Sequence, residues 1–387
     1  MTTEIADTAD KKPARSRASS TKDKAAKPAA KKVTEIKPKD IESTELASSY
    51  FTSDKPNLEF IPSGSTTLDE TLGGGWAIGR VANIVGDKSA GKTLIAIEAA
   101  ANFDVVYKGQ PIFYLEAEAA FDKEYAAAMG MPVEAVTFVE MFDKDGKADN
   151  TVEFMFEHLQ TLIDARNSGD MKYEKCLYIV DSLDALSDRA EKIRDADAGS
   201  YAMGKQKKMS EMFRRMIAEI ESAGITLMII SQIRDKIGVT FGEKYTRSGG
   251  KALDFYCSQV IWLADIGKLK RTVRKVERVT GVKVKANCKK NKVSLPFRQC
   301  EYQIEFGYGI DDLTSCLEFL KTVDAIEEIE LVTISKSQMG VSIKKIKRLP
   351  DEEYDAVMKE ITGLVRHHWR EIDRSFLPTR TKYRKSV

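Results

Sequence analysis

Three features of this 387-residue chain predict an α/β fold with a mainly parallel sheet. The apolar stretch 80–85 runs into a glycine-bearing turn and then into an alanine-rich helical stretch. Apolar runs and helical segments then alternate as far as Ser231. Two of those runs end in acid, at Glu116 and Asp181. Parallel neighbours need a crossover that covers the sheet, so their strands read as unbroken apolar runs buried on both faces. Ligands of such sheets gather outside the carboxyl ends of the strands. The polar motifs of this chain sit at those ends.

Residues 1–42 come first, with eleven Lys or Arg between Lys11 and Lys39 and almost no large apolar side chain. That composition cannot bury enough surface to offset ordering entropy, so a disordered basic arm is expected, either solubilising or tethering a polyanion. Residues 43–60 follow as an oligomerisation segment. Ile41, Leu46, Tyr50 and Phe51 give a weak apolar stripe suited to packing on a neighbour. The core, 61–310, opens at Ile61 with turn chemistry and a helix cap before Leu68. Residues 72–76 then turn into the strand at 80–85. A helix spans 94–101, a strand 112–116, a helix begins near Phe121, and an apolar stretch spans 136–139. A helix at 151–166, the strand 176–181, a long helix at 202–222 and a strand at 225–231 complete the alternation.

Charge and cysteine usage narrow the class. Net charge is +2, with 42% hydrophobic and 31% charged residues, which suits a soluble protein with a real core. Cys176, Cys257, Cys288, Cys300 and Cys316 form no C-x-x-C pair, and His158, His367 and His368 have no ligand spacing. Reduced thiols in a cytoplasmic protein are expected, with no zinc. His367 and His368 read as surface residues. No run approaches the ~18 apolar residues of a membrane span, and the N-terminus has no apolar signal core.

Gly86-Asp87-Lys88-Ser89-Ala90-Gly91-Lys92-Thr93 fits G-x-x-x-x-G-K-S/T between a strand and a helix. In that setting the glycines let backbone N–H groups curl around phosphate oxygens at the positive end of a helix. Lys92 is placed to reach the β- and γ-phosphates, and the Thr93 hydroxyl to ligate magnesium. The expected ligands are a nucleoside triphosphate and Mg2+, the triphosphate being ATP on the resemblance described next. Asp181 ends an apolar strand, as the second magnesium residue of such a site does. Glu116 and Glu118 follow another strand, where a carboxylate can deprotonate the attacking water. Asp122 and Tyr125 share one face of a helix start, the tyrosine suited to stacking on a base or to ordinary core packing.

The segment from Ser231 through Gln232, Ile233, Arg234, Lys236, Phe241, Gly249 and Gly250 to Tyr256 is glycine-rich and basic, with an isolated aromatic. A loop of that kind orders against a polyanion. It closely resembles the second DNA-binding loop of the bacterial RecA recombinases. The likeness continues through Lys290-Asn291-Lys292-Val293-Ser294-Leu295-Pro296-Phe297 and Glu305-Phe306-Gly307-Tyr308-Gly309-Ile310. It covers roughly 61–310, so a RecA-like ATPase core is implied. The resemblance assigns Glu118 as catalytic glutamate, Asp122 and Tyr125 as adenine contacts, and Gln232 as the residue that relays the γ-phosphate to the loop. It assigns Lys290 and Lys292 to a neighbouring subunit's ATP, as arginine fingers act elsewhere. DNA contacts are implied for Met203, Gly204, Lys208 and Arg215, and for Ile233 to Gly250, including Arg234, Lys236, Phe241, Gly249 and Gly250. Phe255 matches a subunit-interface residue.

The chain also departs from that pattern. The first DNA loop, 193–200, barely matches it, and Lys88 stands where an acidic residue is usual. The basic arm is extra, and the tail from Arg380 is basic where the family commonly ends acidic, which should relax competition with DNA. The chain reads as a divergent member, of host or phage origin. Residues 311–387 are expected as a small α+β domain, with helices around Leu313–Val323 and at 352–372 and short strands at 331–334 and 341–346. Lys344, Lys345, Lys347, Arg348, Arg366, Arg370 and Arg374 either gather duplex DNA or form a solvated face. Twelve Lys or Arg against one acid between Lys268 and Arg298 suit a subunit interface and filament axis.

The implied function is a DNA-dependent ATPase that forms a helical filament on single-stranded DNA, pairs it with double-stranded DNA and exchanges strands. Two alternatives are a hexameric helicase on the same core and a non-catalytic mediator. The Gln232–Gly250 loop and the Lys290/Lys292 pair weigh against the first, and Glu118 with a complete phosphate loop against the second.

Overall fold

The computed structural model describes residues 58–193, 203–235 and 245–380. The basic arm, the stripe at 41–51, residues 194–200 of the first loop, Lys236, Phe241 and the tail beyond Arg380 lie outside them.

A short antiparallel pair, β1 (Phe60–Ile61) with β2 (Trp76–Ala77), precedes the main sheet. The sheet comprises β3 (Val81–Gly86), β4 (Ile112–Glu116), β5 (Val136–Phe138), β6 (Cys176–Asp181), β7 (Ile225–Asp235), β8 (Tyr245–Arg247), β9 (Gln259–Val273), β10 (Val276–Asn291), β11 (Gln299–Glu305) and β12 (Gly309–Asp311). Its order is β12-β11-β10-β9-β3-β7-β6-β4-β5, with β8 paired to the end of β7. From β9 to β5 the neighbours run parallel, and β10, β11 and β12 add an antiparallel flank. The parallel strands are apolar on both faces, and period-two alternation divides them between two cores. Ala82 and Ile84 of β3, with Leu177 and Ile179 of β6, face the core under helix Lys92–Val106. Val81, Val85, Tyr178 and Val180 face the core under helices Val152–Ser168 and Met203–Ser222.

Local chemistry sets the element ends. Thr151 caps its helix through Phe154 N, and Gly169 closes it in the left-handed region. Ser65 caps helix Thr66–Leu72, whose Thr66 hydroxyl donates to Asp312 Oδ2 at 2.7 Å.

The C-terminal segment departs from expectation. Helices Asp312–Thr322 and Asp351–Ser375 form as predicted, but residues 331–334 are not a strand and Met339–Ile346 is a helix. Met339, Ile343 and Ile346 lie three and four apart and pack with Leu317, Ile361 and Val365. That helical stripe overrides the β-branched run of 341–346. His368 also differs from a plain surface residue: its ring is half-buried and its Nε2 meets Glu328 Oε2 at 2.8 Å.

Candidate functional site

The glycine-bearing turn lies where the sequence placed it. β3 ends at Gly86, and helix Lys92–Val106 starts after Gly91, which adopts φ +82°. Ser89 is also left-handed, at φ +60°. A β-carbon on Gly91 would stand 2.5 Å from Ile304 Cδ1, so only glycine lets the loop lie against β11. Asp87, Lys88 and Ser89 are exposed, while Ala90 is buried and anchors the turn. Lys92 Nζ donates to Asp87 O at 2.8 Å across the loop. Burial lowers its ammonium pKa, while Asp181 and Glu118 oppose that shift.

The parallel register brings three strand ends beside this loop. Gly86 of β3 pairs with Gln232 of β7, and Glu116 of β4 with Asp181 of β6. Asp181 is buried, hydrogen-bonds the Thr93 side chain and accepts from Tyr114 Oη at 2.8 Å. Burial raises its carboxyl pKa; the Tyr114 and Thr93 bonds pull it back, and Glu118 and Glu116 push it further up. A divalent cation would relieve that crowding of negative charge. Among the described residues no cluster of three or more ligating side chains is present. The Asp181 carboxylate and the Thr93 hydroxyl are hard oxygen donors that would suit a magnesium taking its remaining oxygens from phosphate and water.

Glu116 and Glu118 have different work. The Glu116 carboxylate accepts from the backbone N–H of Glu118, Ala119 and Ala120 at 3.0, 3.0 and 3.2 Å, so it braces the turn. Glu118 instead accepts from the Ser182 hydroxyl and, at 2.9 Å, from Gln232 Nε2. Gln232 N donates to Asp184 Oδ2 at 2.6 Å. Sequence reasoning missed Ser182, Asp184 and Tyr114. Ser182 directly follows Asp181, a usable signal, whereas nothing in the pattern pointed to the other two. Asp122 is the cap of helix Lys123–Ala128, its Oδ1 accepting from Tyr125 N at 2.9 Å. Tyr125 is 36% exposed on the same helix, which leaves its ring available for stacking.

Residues expected on the DNA side fall in two groups. Gly204, Lys208 and Arg215 lie on helix Met203–Ser222, with Lys208 Nζ 4.0 Å from Glu211 and Arg215 exposed. Ile233 and Arg234 extend β7 beyond the sheet and pair with Arg247 and Thr246 of β8. Gly249 and Gly250 adopt φ +77° and +43° as the chain turns into helix Gly250–Tyr256. A β-carbon on Gly249 would meet Leu253 at 2.8 Å.

Lys290 and Lys292 are not brought to the phosphate loop of their own chain. Lys290 pairs with Val260 at the start of β9, and Ser258 N bonds Val81 O at the start of β3. Gly86 stands at the far end of that strand. Both ammonium groups converge on the carboxyl end of helix Gly250–Tyr256, Lys290 on Asp254 O and Phe255 O, Lys292 on Phe255 O. Phe255 is 70% exposed.

Comparison with known proteins agrees with this geometry. Residues 45–311 match the model of the RecA N-terminal domain. Protein RecA of Prochlorococcus marinus is 36% identical over 280 residues, 72% of this chain and 66% of that protein. Protein RecA of Synechococcus sp. is 35% identical over 277 residues, 71% of this chain and 65% of that protein. The chain thus spans about two thirds of the length of these curated relatives. With the loop, the strand-end carboxylates and the matched core in agreement, the chain belongs to the RecA family.

Proposed function

We propose that this RecA-family protein is a DNA recombinase: a cytoplasmic, DNA-dependent ATPase that assembles on single-stranded DNA, pairs it with a homologous duplex and exchanges strands in recombinational repair. The observation that carries the reading is the 2.9 Å bond from Gln232 Nε2 to Glu118 Oε1. It joins the candidate base to the strand that leads into the basic, glycine-bearing segment.

Each residue then has a task. The N–H groups of Gly86 to Thr93 cradle the triphosphate, and Lys92 leaves Asp87 O for the β- and γ-phosphates. Asp122 and Tyr125 hold the adenine. Magnesium, held by Thr93 and Asp181, would neutralise charge building on the phosphate oxygens. Glu118 orients the attacking water and takes its proton. When the Gln232 amide turns to a γ-phosphate oxygen it releases Glu118, and the same turn re-aims the end of β7 and the loop beyond it. ATP binding thereby favours the loop conformation that grips DNA, and hydrolysis removes that preference. Lys290 and Lys292, at the opposite end of the sheet from their own loop, act on the triphosphate of the next subunit. Among the described residues no helix is long and apolar enough to cross a membrane.

ATP turnover measured with and without a single-stranded oligonucleotide tests the reading. The wild-type protein should be stimulated by the oligonucleotide and should form joint molecules with a homologous duplex. Gln232→Ala should keep basal turnover within a few-fold while losing the stimulation. If Gln232→Ala is stimulated like the wild type, the coupling role is wrong. Absence of both stimulation and joint molecules in the wild type removes the recombinase reading.

A further inference from the structure

Asp181 owes its orientation to the neighbouring strand. Tyr114 of β4 lies opposite Ile179 of β6, and Asp181 is two residues further along the same face. A tyrosine is long enough to span that diagonal, and its Oη donates to Asp181 Oδ2 at 2.8 Å. Phenylalanine would fill the same space without the bond. Tyr114 is fully buried, and a hydroxyl taken out of water costs free energy unless it is bonded. Packing alone therefore does not account for a phenol at this position.

The Tyr114 ring has contacts of its own. Its centroid lies 4.7 Å from that of Phe121 and 5.7 Å from that of Phe138, and those two rings are 5.3 Å apart. Three rings in mutual contact have little freedom to move singly. Phe121 directly precedes Asp122, the cap of helix Lys123–Ala128. Lys123 Nζ stands 4.5 Å from the centre of the Phe138 ring, so the first residue of that helix is tied to the trio as well. One tyrosine thus touches Asp181 through its hydroxyl and, through its ring, the entry to the helix that carries Tyr125.

We propose that Tyr114 is a positioning residue that couples the cation site to the adenine site. Its hydroxyl holds the Asp181 carboxylate in one orientation beside Thr93, and its ring fixes that hydroxyl relative to Phe121. A base seated against Asp122 and Tyr125 steadies Phe121, and with it the Tyr114 hydroxyl, so magnesium meets a carboxylate already in place. Such coupling is reciprocal: the cation must favour a triphosphate that carries a base through the same contacts. The inference rests on the assignment of Thr93 and Asp181 to magnesium and of Asp122 and Tyr125 to adenine, and adds the link between them.

The test uses the full chain and needs no turnover. Affinity for a fluorescent, non-hydrolysable ATP analogue is measured with magnesium and in EDTA, and inorganic tripolyphosphate is measured by displacement under both conditions. Both ligands bind magnesium in solution, so each magnesium enhancement is compared with that of the wild type. Tyr114→Phe keeps the ring and should cut the enhancement for the ATP analogue by about tenfold and that for tripolyphosphate by about threefold, leaving affinities in EDTA nearly unchanged. Phe121→Leu keeps the hydroxyl bond, and it carries the test if loss of the hydroxyl prevents folding. It should cut the enhancement for the ATP analogue by about threefold and leave that for tripolyphosphate at the wild-type value. A merely structural role would lower affinity equally with and without magnesium, and that result in Tyr114→Phe overturns the proposal. Phe121→Leu with both enhancements at the wild-type value overturns it too. Wild-type protein whose affinity for either ligand is not raised by magnesium overturns the underlying site assignment instead.

Discussion

At the scale of single residues, proximity alone does not separate Glu116 from Glu118; their hydrogen bonds do. Glu116 is held by three backbone N–H groups of its own turn, whereas Glu118 is held by two side chains that can turn away. Glu118→Gln should therefore cut ATP turnover by about 100-fold or more while leaving nucleotide affinity nearly intact, as expected for removal of a general base. Single-turnover hydrolysis beside a fluorescent-nucleotide titration separates the two effects. A Glu118→Gln protein that turns over normally would return the role to another group.

A second residue-scale consequence concerns pH. Asp69 accepts from Ser63 N at 2.8 Å, and burial raises its carboxyl pKa from an ordinary 3.8 to about 7. Burial also raises Glu98 and Asp312. The folded state binds more protons than the unfolded state across that interval, so stability falls as pH rises. The contribution of Asp69 is complete below about pH 4 and is lost as pH passes through about 7. Thermal midpoints should be higher near pH 5 than near pH 8, and Asp69→Asn should flatten the slope between them. A wild-type midpoint that rises steadily over that range contradicts the assignment.

At the scale of elements, the phosphate loop depends on a strand far from it in sequence. Gly91 sits against Ile304 of β11, a buried side chain with little room to withdraw. Gly91→Ala combines a left-handed backbone with that clash and should cost about 1–3 kcal/mol. Nucleotide binding should be lost even in the fraction that folds. Denaturant midpoints together with nucleotide titration would show it, and retained binding would mean that β11 shifts to make room. Helix Met339–Ile346 teaches a different lesson. Its Val and Ile content suggested a strand, yet spacing of three and four against Leu317 and Ile361 decided the outcome. Propensity yields when a helical stripe finds a helical partner surface.

At the scale of the whole molecule, Lys290 and Lys292 stand at the end of the sheet opposite Gly86, as the β9 and β3 registers require. Lys92→Ala and the double variant Lys290→Ala, Lys292→Ala should each be nearly inactive alone. Mixed in equal amounts, random assembly should restore about one quarter of the sites, since each needs an intact loop from one subunit and intact lysines from the next. No recovery on mixing would place both contributions in a single chain. Phe255, exposed beside those lysines, belongs to the same seam in this reading.

The sequence by itself determined the phosphate-loop motif, five of the six parallel strands and the covering helices, because local spacing and apolar runs encode these within a few residues; β9 was not among them. It also put forward Asp181 from its strand end, and Glu118, Gln232 and the Lys290/Lys292 pair from the family resemblance, as candidates. Only the tertiary structure decided that Glu116 braces a turn, that Ser182, Asp184 and Tyr114 complete the site, and that the Tyr114 ring packs on Phe121. Those outcomes depend on strand register and on which partners hold a carboxylate. Both are set by contacts between residues distant in the chain, so no local pattern carries them.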